Sequence, residues 1–259
     1  MRRLLLALLT ASLLVAACGD DDDAETTTDT SDPTETETET DTETETETET
    51  AEPTSTTATP TPSELPGERI EIFPYEGTEL AVVGVEADDV LNVRAAPGVE
   101  YEIVTGLDPL ADGIAPTGHN RQLDDGAIWA EIDVEGSTGW ANTAFLAHLG
   151  DTDDVTSQLY PEVADRPRAD TMRQLGEAVA ASVAGDGDDP EPDVVVVDGP
   201  TVGDLGEITV DVLGFADDSV LGARLHVFAE PDAGGESFTV RSVESTTLCR
   251  RGVSDGLCV

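Results

Sequence analysis

The sequence contains no lysine, so all 12 of its Lys+Arg residues are arginines, set against 56 Asp+Glu residues. The formal net charge is −44 over 259 residues. Because proteins bind nucleic-acid phosphates through clustered cations, this charge argues against a nucleic-acid partner. It also repels anionic lipid headgroups, so any attachment to a membrane must come from another source. Strong like charge favours a soluble monomer, and we expect one.

Histidine and aromatic residues are scarce as well, with 3 histidines and 4% aromatics. His119, His148 and His226 are not spaced like zinc ligands, and no cysteine–histidine or serine–histidine pair follows a known motif. The chain has no glycine-rich phosphate loop and no G-x-S-x-G segment. His226 alternates with apolar neighbours and is expected to face solvent. We therefore predict no catalytic residue, no metal and no cofactor, and we do not expect an enzyme.

Long apolar runs are absent except near the start, where Leu4–Ala17 carries no charge and follows two arginines. About fourteen residues rise only about 21 Å, short of the roughly 30 Å hydrocarbon layer, which favours a signal peptide over residues 1–17. Val15–Cys18 reads VAAC and resembles the bacterial lipobox, in which cleavage precedes a lipid-bearing cysteine. The resemblance implies lipidation of Cys18 and anchoring by acyl chains to the outer face of the bacterial cell membrane. An ordinary cleaved signal with a chance cysteine is the alternative.

Cysteine is limited to 3 residues. If Cys18 is lipidated, Cys249 and Cys258 remain as an even pair in an oxidising compartment, which predicts a disulfide. A bridge that closes about ten residues stabilises a fold by roughly 2–3 kcal/mol in the chain-entropy model. The competing interpretation makes Cys249 a thiol nucleophile, although no motif supports a neighbouring base.

Aliphatic and aromatic side chains are nearly absent from the predicted linker, residues 18–68. It begins with Asp20–Asp23, continues as an acid–threonine alternation over Thr34–Thr50, and closes with a stretch rich in threonine and proline. Low hydrophobicity and like charge cannot offset the entropy of ordering, which predicts a disordered acidic tether. A strand is disfavoured here because both of its faces would be polar.

From Glu79 the composition changes to short apolar segments separated by glycine, proline and aspartate. Strands this short, at regular spacing, predict a small all-β barrel. The predicted strands are Glu79–Ala87, Asp89–Arg94, Val99–Leu107, Gly113–Gly118, Ile128–Val134 and Ser137–Ala141.

Two separate sequence motifs occur in this region. Asp89–Gly98 reads DVLNVRAAPG, and later Trp129–Ile132 reads WAEI and Gly136–Ala141 reads GSTGWA. The first resembles the LNVRSGPS signature of bacterial SH3-like (SH3b) domains, and the others resemble that family's W-x-K-V strand and G-x-x-G-W-V turn. The resemblance implies an SH3-like barrel over residues 69–149 that binds cell-wall peptide or another envelope partner.

The first motif suggests which side chains pack inside the barrel. Val90, Leu91 and Val93 are expected in its interior. Gly98 follows a proline and suits a turn that needs positive φ. Gly139 is expected to permit a close approach of backbone where the chain enters the last strand.

Other motif residues are candidates for ligand contact. Tyr101, Trp129 and Trp140 can line a ligand groove because aromatic rings combine apolar area with a polar edge, but they suit a core equally well. Asn92 and Arg94 look functional, although in the family such residues mainly make hydrogen bonds that hold the turn together. Acidic surroundings favour a ligand that carries amines over an anionic one.

The sequence pattern of residues 150–259 predicts a second domain, of the α+β class. Asp151–Arg168 is expected to be a connection. Thr171–Ala184 has apolar residues at helical spacing and a threonine placed to cap its start, which predicts a helix. Val194–Val197 predicts a central strand buried on both faces, and later segments alternate as antiparallel strands do. One helix is then expected to cover one face of the sheet.

These patterns predict a lipid-anchored binding protein on the cell surface, with its SH3-like domain as the binding module. The alternative is a cell-wall hydrolase or its regulator, with the active part in the C-terminal domain. SH3-like domains are often joined to wall peptidases and amidases, which is why this alternative is kept.

Overall fold

The computed structural model of the chain describes residues 65–134, 136–184 and 191–259. Of these residues 50% lie in strands and 12% in helices. The predicted signal peptide, Cys18 and most of the predicted tether lie outside the described residues. Within the described ranges, no helix is both long and apolar enough to cross a membrane.

The strands form two main sheets, and every strand pair in them is antiparallel. In chain order the strands are β1 Glu68–Ile70, β2 Ala81–Val82, β3 Leu91–Arg94, β4 Ile103–Leu107, β5 Ala115–Gln122, β6 Ile128–Val134, β7 Ser137–Asn142, β8 Leu146–Asp154, β9 Arg168–Ala169, β10 Asp193–Val202, β11 Gly206–Leu213, β12 Val220–Pro231, β13 Phe238–Cys249, β14 Val253–Ser254 and β15 Leu257–Cys258. The helices are α1 Thr156–Leu159 and α2 Met172–Ala184, with short 3₁₀ turns at Thr143–Phe145 and Val163–Asp165.

The first sheet has the order β1-β5-β6-β7-β3-β4 and forms a half-barrel. Its strands alternate between the two faces, so the residues of one face meet in a small core. The buried residues of this core are Leu80, Val82, Val85, Leu91, Val93, Ile114, Ile132, Ala141 and Leu146. Gly139 faces this core: a Cβ there would lie 2.5 Å from Val93 Cγ1, so the predicted close approach is confirmed.

Several half-barrel predictions need correction. Ile128–Val134 has the predicted bounds, but of the predicted strand Glu79–Ala87 only β2 forms, and it pairs with β8 rather than with the half-barrel. The strand stops because Gly84 takes a φ of 65° and gives its N–H to a side chain of the other sheet. Val90 was expected inside the barrel, but it is 40% exposed.

The second sheet has the order β10-β11-β12-β13-β8-β2, with β9 added beside β13. Helix α2 packs on one face, where Met172, Leu175 and Val179 are buried. Thr171 Oγ1 accepts from Gln174 N at 3.2 Å, so the predicted cap is confirmed. A helix over one face of an antiparallel sheet agrees with the α+β expectation for this part of the chain.

Two predictions for this part of the chain are wrong. Asp151–Arg168 is not a plain connection, because it contains the end of β8, helix α1 and the start of β9. Val194–Val197 belongs to β10, which is the edge strand of the sheet rather than a central one. Val194 is accordingly 41% exposed. An uninterrupted run of valines indicates a strand but does not say how many neighbours it has.

The two sheets are joined within one compact unit. Strand β8 begins beside the half-barrel at Leu146, where it pairs with β2, and continues as a partner of β13. The sequence-based boundary between residues 149 and 150 therefore falls inside a continuous strand. Half-barrel and second sheet are not separated by a linker.

A buried ion pair also connects β11 and β12 to the chain segment that leads from β2 into the half-barrel. Arg224 on β12 donates from Nε to Asp211 Oδ1 at 2.7 Å and from Nη2 to Asp211 Oδ2 at 2.9 Å. The same guanidinium donates to Val82 O at 2.7 Å, and Asp211 Oδ2 accepts from Gly84 N at 2.9 Å. Paired bonds of this kind combine geometric specificity with charge-assisted strength. The pair thus connects the second sheet to the segment that carries β2.

The predicted disulfide is confirmed. Cys249, at the end of β13, is bonded to Cys258, and their Cα atoms lie 5.1 Å apart. Cys249 is fully buried. Because its sulfur is bonded, the competing interpretation of Cys249 as a free nucleophile does not hold in this structure.

Candidate functional site

A cavity of about 280 Å³ opens on the half-barrel beside the first motif, and we call it the motif groove. Its lining is largely apolar, with a few polar side chains placed among the apolar ones, as is common in ligand sites. The lining residues are Gly84, Val85, Glu86, Asp89, Val90, Leu91, Asn92, Arg94, Val99, Trp129, Asn142 and Phe145.

Strand β3 and the turn after it form one wall of the groove. Leu91 is buried, while Asn92 and Arg94 are only partly covered, as alternation along a strand requires. Gly98 has a φ of 126°, which confirms the predicted positive-φ turn. Arg94 Nη1 donates to Tyr101 O at 2.7 Å. The arginine therefore ties the turn to the strand, which confirms the predicted structural use of Arg94.

Trp129 forms part of the floor of the groove. It lies on β6, opposite Asn142 of β7, and is 3% exposed. Its Nε1 is buried and has no hydrogen-bond partner in the described part of the chain. A buried donor without an acceptor is costly, and native proteins leave few of them. The indole N–H is therefore an unpaired donor in a residue that lines the groove.

The rim of the groove is apolar and acidic. Val90, Val99 and Phe145 are exposed on it. Glu86 and Asp89 are its acidic members, and Arg94 already donates to a backbone carbonyl. Such a rim suits an apolar group flanked by a positive or amine-bearing one. These residues can bind and orient a ligand.

The three predicted aromatic residues do not converge. Trp129 lines the motif groove, whereas Trp140 is buried at 4% exposure and pairs across the sheet with Arg94 and Glu131. Tyr101 is half-buried and contributes its carbonyl to Arg94. Sequence reasoning did not select Val99 and Phe145, because whether an apolar side chain faces a groove depends on neighbours that are distant in the chain.

The histidines fall in three different settings. His119 lies on strand β5, with its Nδ1 2.7 Å from Glu131 Oε2. His226 lies on the second sheet, where its ring centroid is 4.1 Å from that of Phe228 and its Nε2 is 3.9 Å from Glu207 Oε2. Among the described residues, no group of three or more His, Cys, Asp or Glu side chains is placed to hold a metal ion.

His148 is the buried histidine of the three. It lies on β8, is 4% exposed, and its Nδ1 is 2.8 Å from Glu79 O. Burial lowers the pKa of His148 below its usual value of 6.5, and the hydrogen bond to the carbonyl opposes that shift in part. No sequence signal marks this histidine, because its burial results from the joining of the two sheets.

No protein-family model, curated protein or solved structure matches this chain. Its resemblance to SH3-like domains therefore rests on the motif residues within Asp89–Gly98, Trp129–Ile132 and Gly136–Ala141. The first two of these segments contribute lining residues to the motif groove. Motif residues and cavity therefore coincide on β3 and β6.

Proposed function

We propose that this chain is a lipid-anchored binding protein on the outer face of the bacterial cell membrane. Its half-barrel acts as an SH3-like module that binds cell-wall peptide, or another envelope partner, through the motif groove. The observation that carries the proposal is the buried Trp129 Nε1 without an acceptor, in a residue that lines a largely apolar cavity together with other motif residues.

A peptide can supply partners for the groups of the motif groove that have none within the chain. Each peptide carbonyl can accept the Trp129 N–H, and an apolar side chain can cover Val90, Val99 and Phe145 on the rim. A free amine on the peptide would complement Glu86 and Asp89 on the rim. The proposal therefore favours an uncharged or amine-bearing peptide over an anionic glycan.

The proposed anchor makes a weak site useful. Acyl chains on Cys18 would hold the chain at the membrane, and stable anchoring requires two such chains or more. A self-repelling acidic tether over residues 18–68 would let the module reach wall material while confining it nearby. Confinement raises the effective concentration of the site, so modest affinity suffices.

Two measurements test the proposal: retention on purified peptidoglycan tests the motif groove, and recovery in the membrane fraction tests the anchor. The full chain, purified in detergent from the membrane fraction, is applied to insoluble peptidoglycan and compared with an acidic protein of similar charge. We expect retention of the chain, and Trp129→Phe should weaken it about tenfold by removing one donor from a desolvated site.

Two valines of equal exposure supply a matched control. Val99 lines the groove and is 73% exposed, whereas Val163 is 72% exposed and does not line it. Val99→Gln should weaken retention by about fivefold, the value of losing roughly one kcal/mol of apolar contact, and Val163→Gln should leave it unchanged. Recovery of the chain outside the membrane fraction would contradict the anchor. Equal effects of the two glutamine substitutions would contradict the groove.

A further inference from the structure

A second cavity, of about 500 Å³, lies where the half-barrel meets the second sheet, and we call it the junction cavity. Most of its wall is apolar, with side chains such as Phe73, Ile128 and Leu146 from the first half of the structure. Leu221 and Arg250 reach it from the second sheet. Its volume is within the range of roughly 300–1,000 Å³ that small-molecule sites occupy.

His148 supplies an acceptor at this cavity. Its Nδ1 faces the carbonyl oxygen of Glu79 at 2.8 Å, and a carbonyl only accepts, so the ring proton belongs on Nδ1. The other nitrogen, Nε2, then carries a lone pair. It is shielded from bulk water and has no partner in residues 65–134, 136–184 and 191–259. A donor that enters between the lining side chains would satisfy it.

Arg250 supplies a cation at the same cavity. Its backbone N–H donates to Ser219 O at 2.8 Å, and its side chain is half-buried. No carboxylate of the described ranges pairs with its guanidinium, although Arg168, Arg224 and Arg251 each have an aspartate partner. In a chain with 56 acidic residues, an arginine that lines a cavity without such a partner is placed to bind an anion from outside.

Two other polar atoms of the cavity are already engaged. Asn142 Oδ1 accepts from Ala144 N at 2.9 Å, and Thr143 Oγ1 donates to Ile128 O at 3.1 Å. His148 and Arg250 therefore supply one acceptor and one cation beside an apolar wall.

We propose that the junction cavity binds an apolar carboxylic acid that carries a neighbouring N–H or O–H donor. The carboxylate pairs with the guanidinium of Arg250, the donor bonds to Nε2 of His148, and the apolar body covers Phe73, Ile128 and Leu146. An acylated α-amino acid has all three features, either as a free molecule or as the last residue of a peptide. This inference does not depend on wall binding by the motif groove.

Three related probes separate the contributions. N-acetyl-leucine has the carboxylate and the N–H, N-acetyl-leucinamide lacks the carboxylate, and 4-methylpentanoate lacks the N–H. Titration calorimetry on the full chain in detergent should show N-acetyl-leucine binding about tenfold more tightly than either of the others. A short peptide ending in leucine, compared with its C-terminal amide, then tells whether the source is a peptide end or a free acid.

Variants assign each contact to its residue. Arg250→Gln should abolish the preference for N-acetyl-leucine over its amide, while Arg241→Gln, an exposed arginine outside the cavity, should preserve it. His148→Asn keeps a donor for Glu79 O but removes Nε2, and it should abolish the preference over 4-methylpentanoate. Arg250 is half-exposed, so its variant remains a test even if His148→Asn fails to fold. The proposal is overturned if N-acetyl-leucine shows no binding at about 10 mM, well above the dissociation constant expected of a specific site. It is also overturned if the amide binds as tightly as the acid.

Discussion

The half-barrel and the second sheet differ in regularity. The strands of the half-barrel have 3 to 8 residues, whereas β12 and β13 of the second sheet have 12 each and pair along almost their whole length. Both cavities described above involve the half-barrel, and the unpartnered nitrogen of Trp129 belongs to it, whereas that of His148 lies on β8 at its border with the second sheet. Long regular strands bury a continuous core, while short irregular ones leave space and unpaired polar groups. We infer that the second sheet is the scaffold and that the binding chemistry lies on the half-barrel and where the two meet.

We expect the half-barrel and the second sheet to unfold together. Leu146 of β8 packs into the core of the half-barrel while β8 pairs within the second sheet, and the buried pair of Arg224 with Asp211 bonds to Val82 and Gly84. Both tryptophans, Trp129 and Trp140, lie in the half-barrel. Tryptophan fluorescence therefore follows one region, and far-ultraviolet circular dichroism follows the whole. A substitution that destabilises one region can therefore be tested for its effect on the other.

The largest effect is expected from breaking the buried ion pair. Asp211 is 0% exposed and the Arg224 side chain 11% exposed, so Asp211→Ala leaves a buried cation without its partner. Loss of one member of such a pair costs about 3–5 kcal/mol. Urea unfolding should show this loss, and the fluorescence and dichroism transitions should shift together.

The exposed pair of Arg251 and Asp218 is the control for this experiment. Their side chains are 40% and 88% exposed. Exposed pairs contribute about 0–1 kcal/mol, so Asp218→Ala should change stability by less than Asp211→Ala does. If Asp211→Ala left the fluorescence transition unchanged, the half-barrel would be stable without the second sheet. This result would contradict the expectation that the two regions unfold together.

A smaller effect is expected from opening the disulfide, which joins the end of β13 to the short strand β15 outside the half-barrel. Cys249 and Cys258 are 9 residues apart in the chain. A loop of about that length gives roughly 2–3 kcal/mol in the chain-entropy model. A reducing agent should therefore lower the urea midpoint of the wild-type chain and leave that of Cys258→Ser unchanged. Identical midpoints of the wild type with and without reductant would refute the contribution of the bridge.

The smallest expected effect is a loss of stability in mild acid, caused by His148 at the junction. Burial lowers its pKa in the folded chain, while the unfolded chain keeps the ordinary value of 6.5. The unfolded state therefore binds the proton more readily, and the free energy of unfolding falls as pH falls below 6.5 towards the folded pKa. Asp154, Asp217 and Asp232 also have lowered pKa values, but their stabilisation is lost only below about 3.8.

Melting temperatures at about pH 7.5 and pH 5.5 bracket the ordinary histidine range and check this expectation. The wild type should lose stability on acidification, and His148→Asn should lose less. His226→Asn, on the surface of the second sheet, should behave as the wild type does. An equal loss in His148→Asn and the wild type would exclude His148 as the cause.

Much of the local structure could be predicted from patterns within short segments. The helix at Met172–Ala184, the strand at Ile128–Val134 and the turn at Gly98 depend on spacing, capping and backbone freedom, which neighbouring residues determine. The disulfide followed from there being one even pair of cysteines besides Cys18. Arg94 was assigned to the turn from the motif, and the structure places it there.

Other features depended on pairing between distant segments, and only the tertiary structure decided them. The sequence by itself determined an acidic chain with short antiparallel strands, one amphipathic helix and a C-terminal bridge. The fold decided that Val194–Val197 lies at an edge, that β8 continues from the half-barrel into the second sheet, and that His148 and Arg250 line one cavity. Alternation says which side of a strand is apolar, but burial of a polar group depends on the strand beside it, and nothing in the local pattern encodes that neighbour.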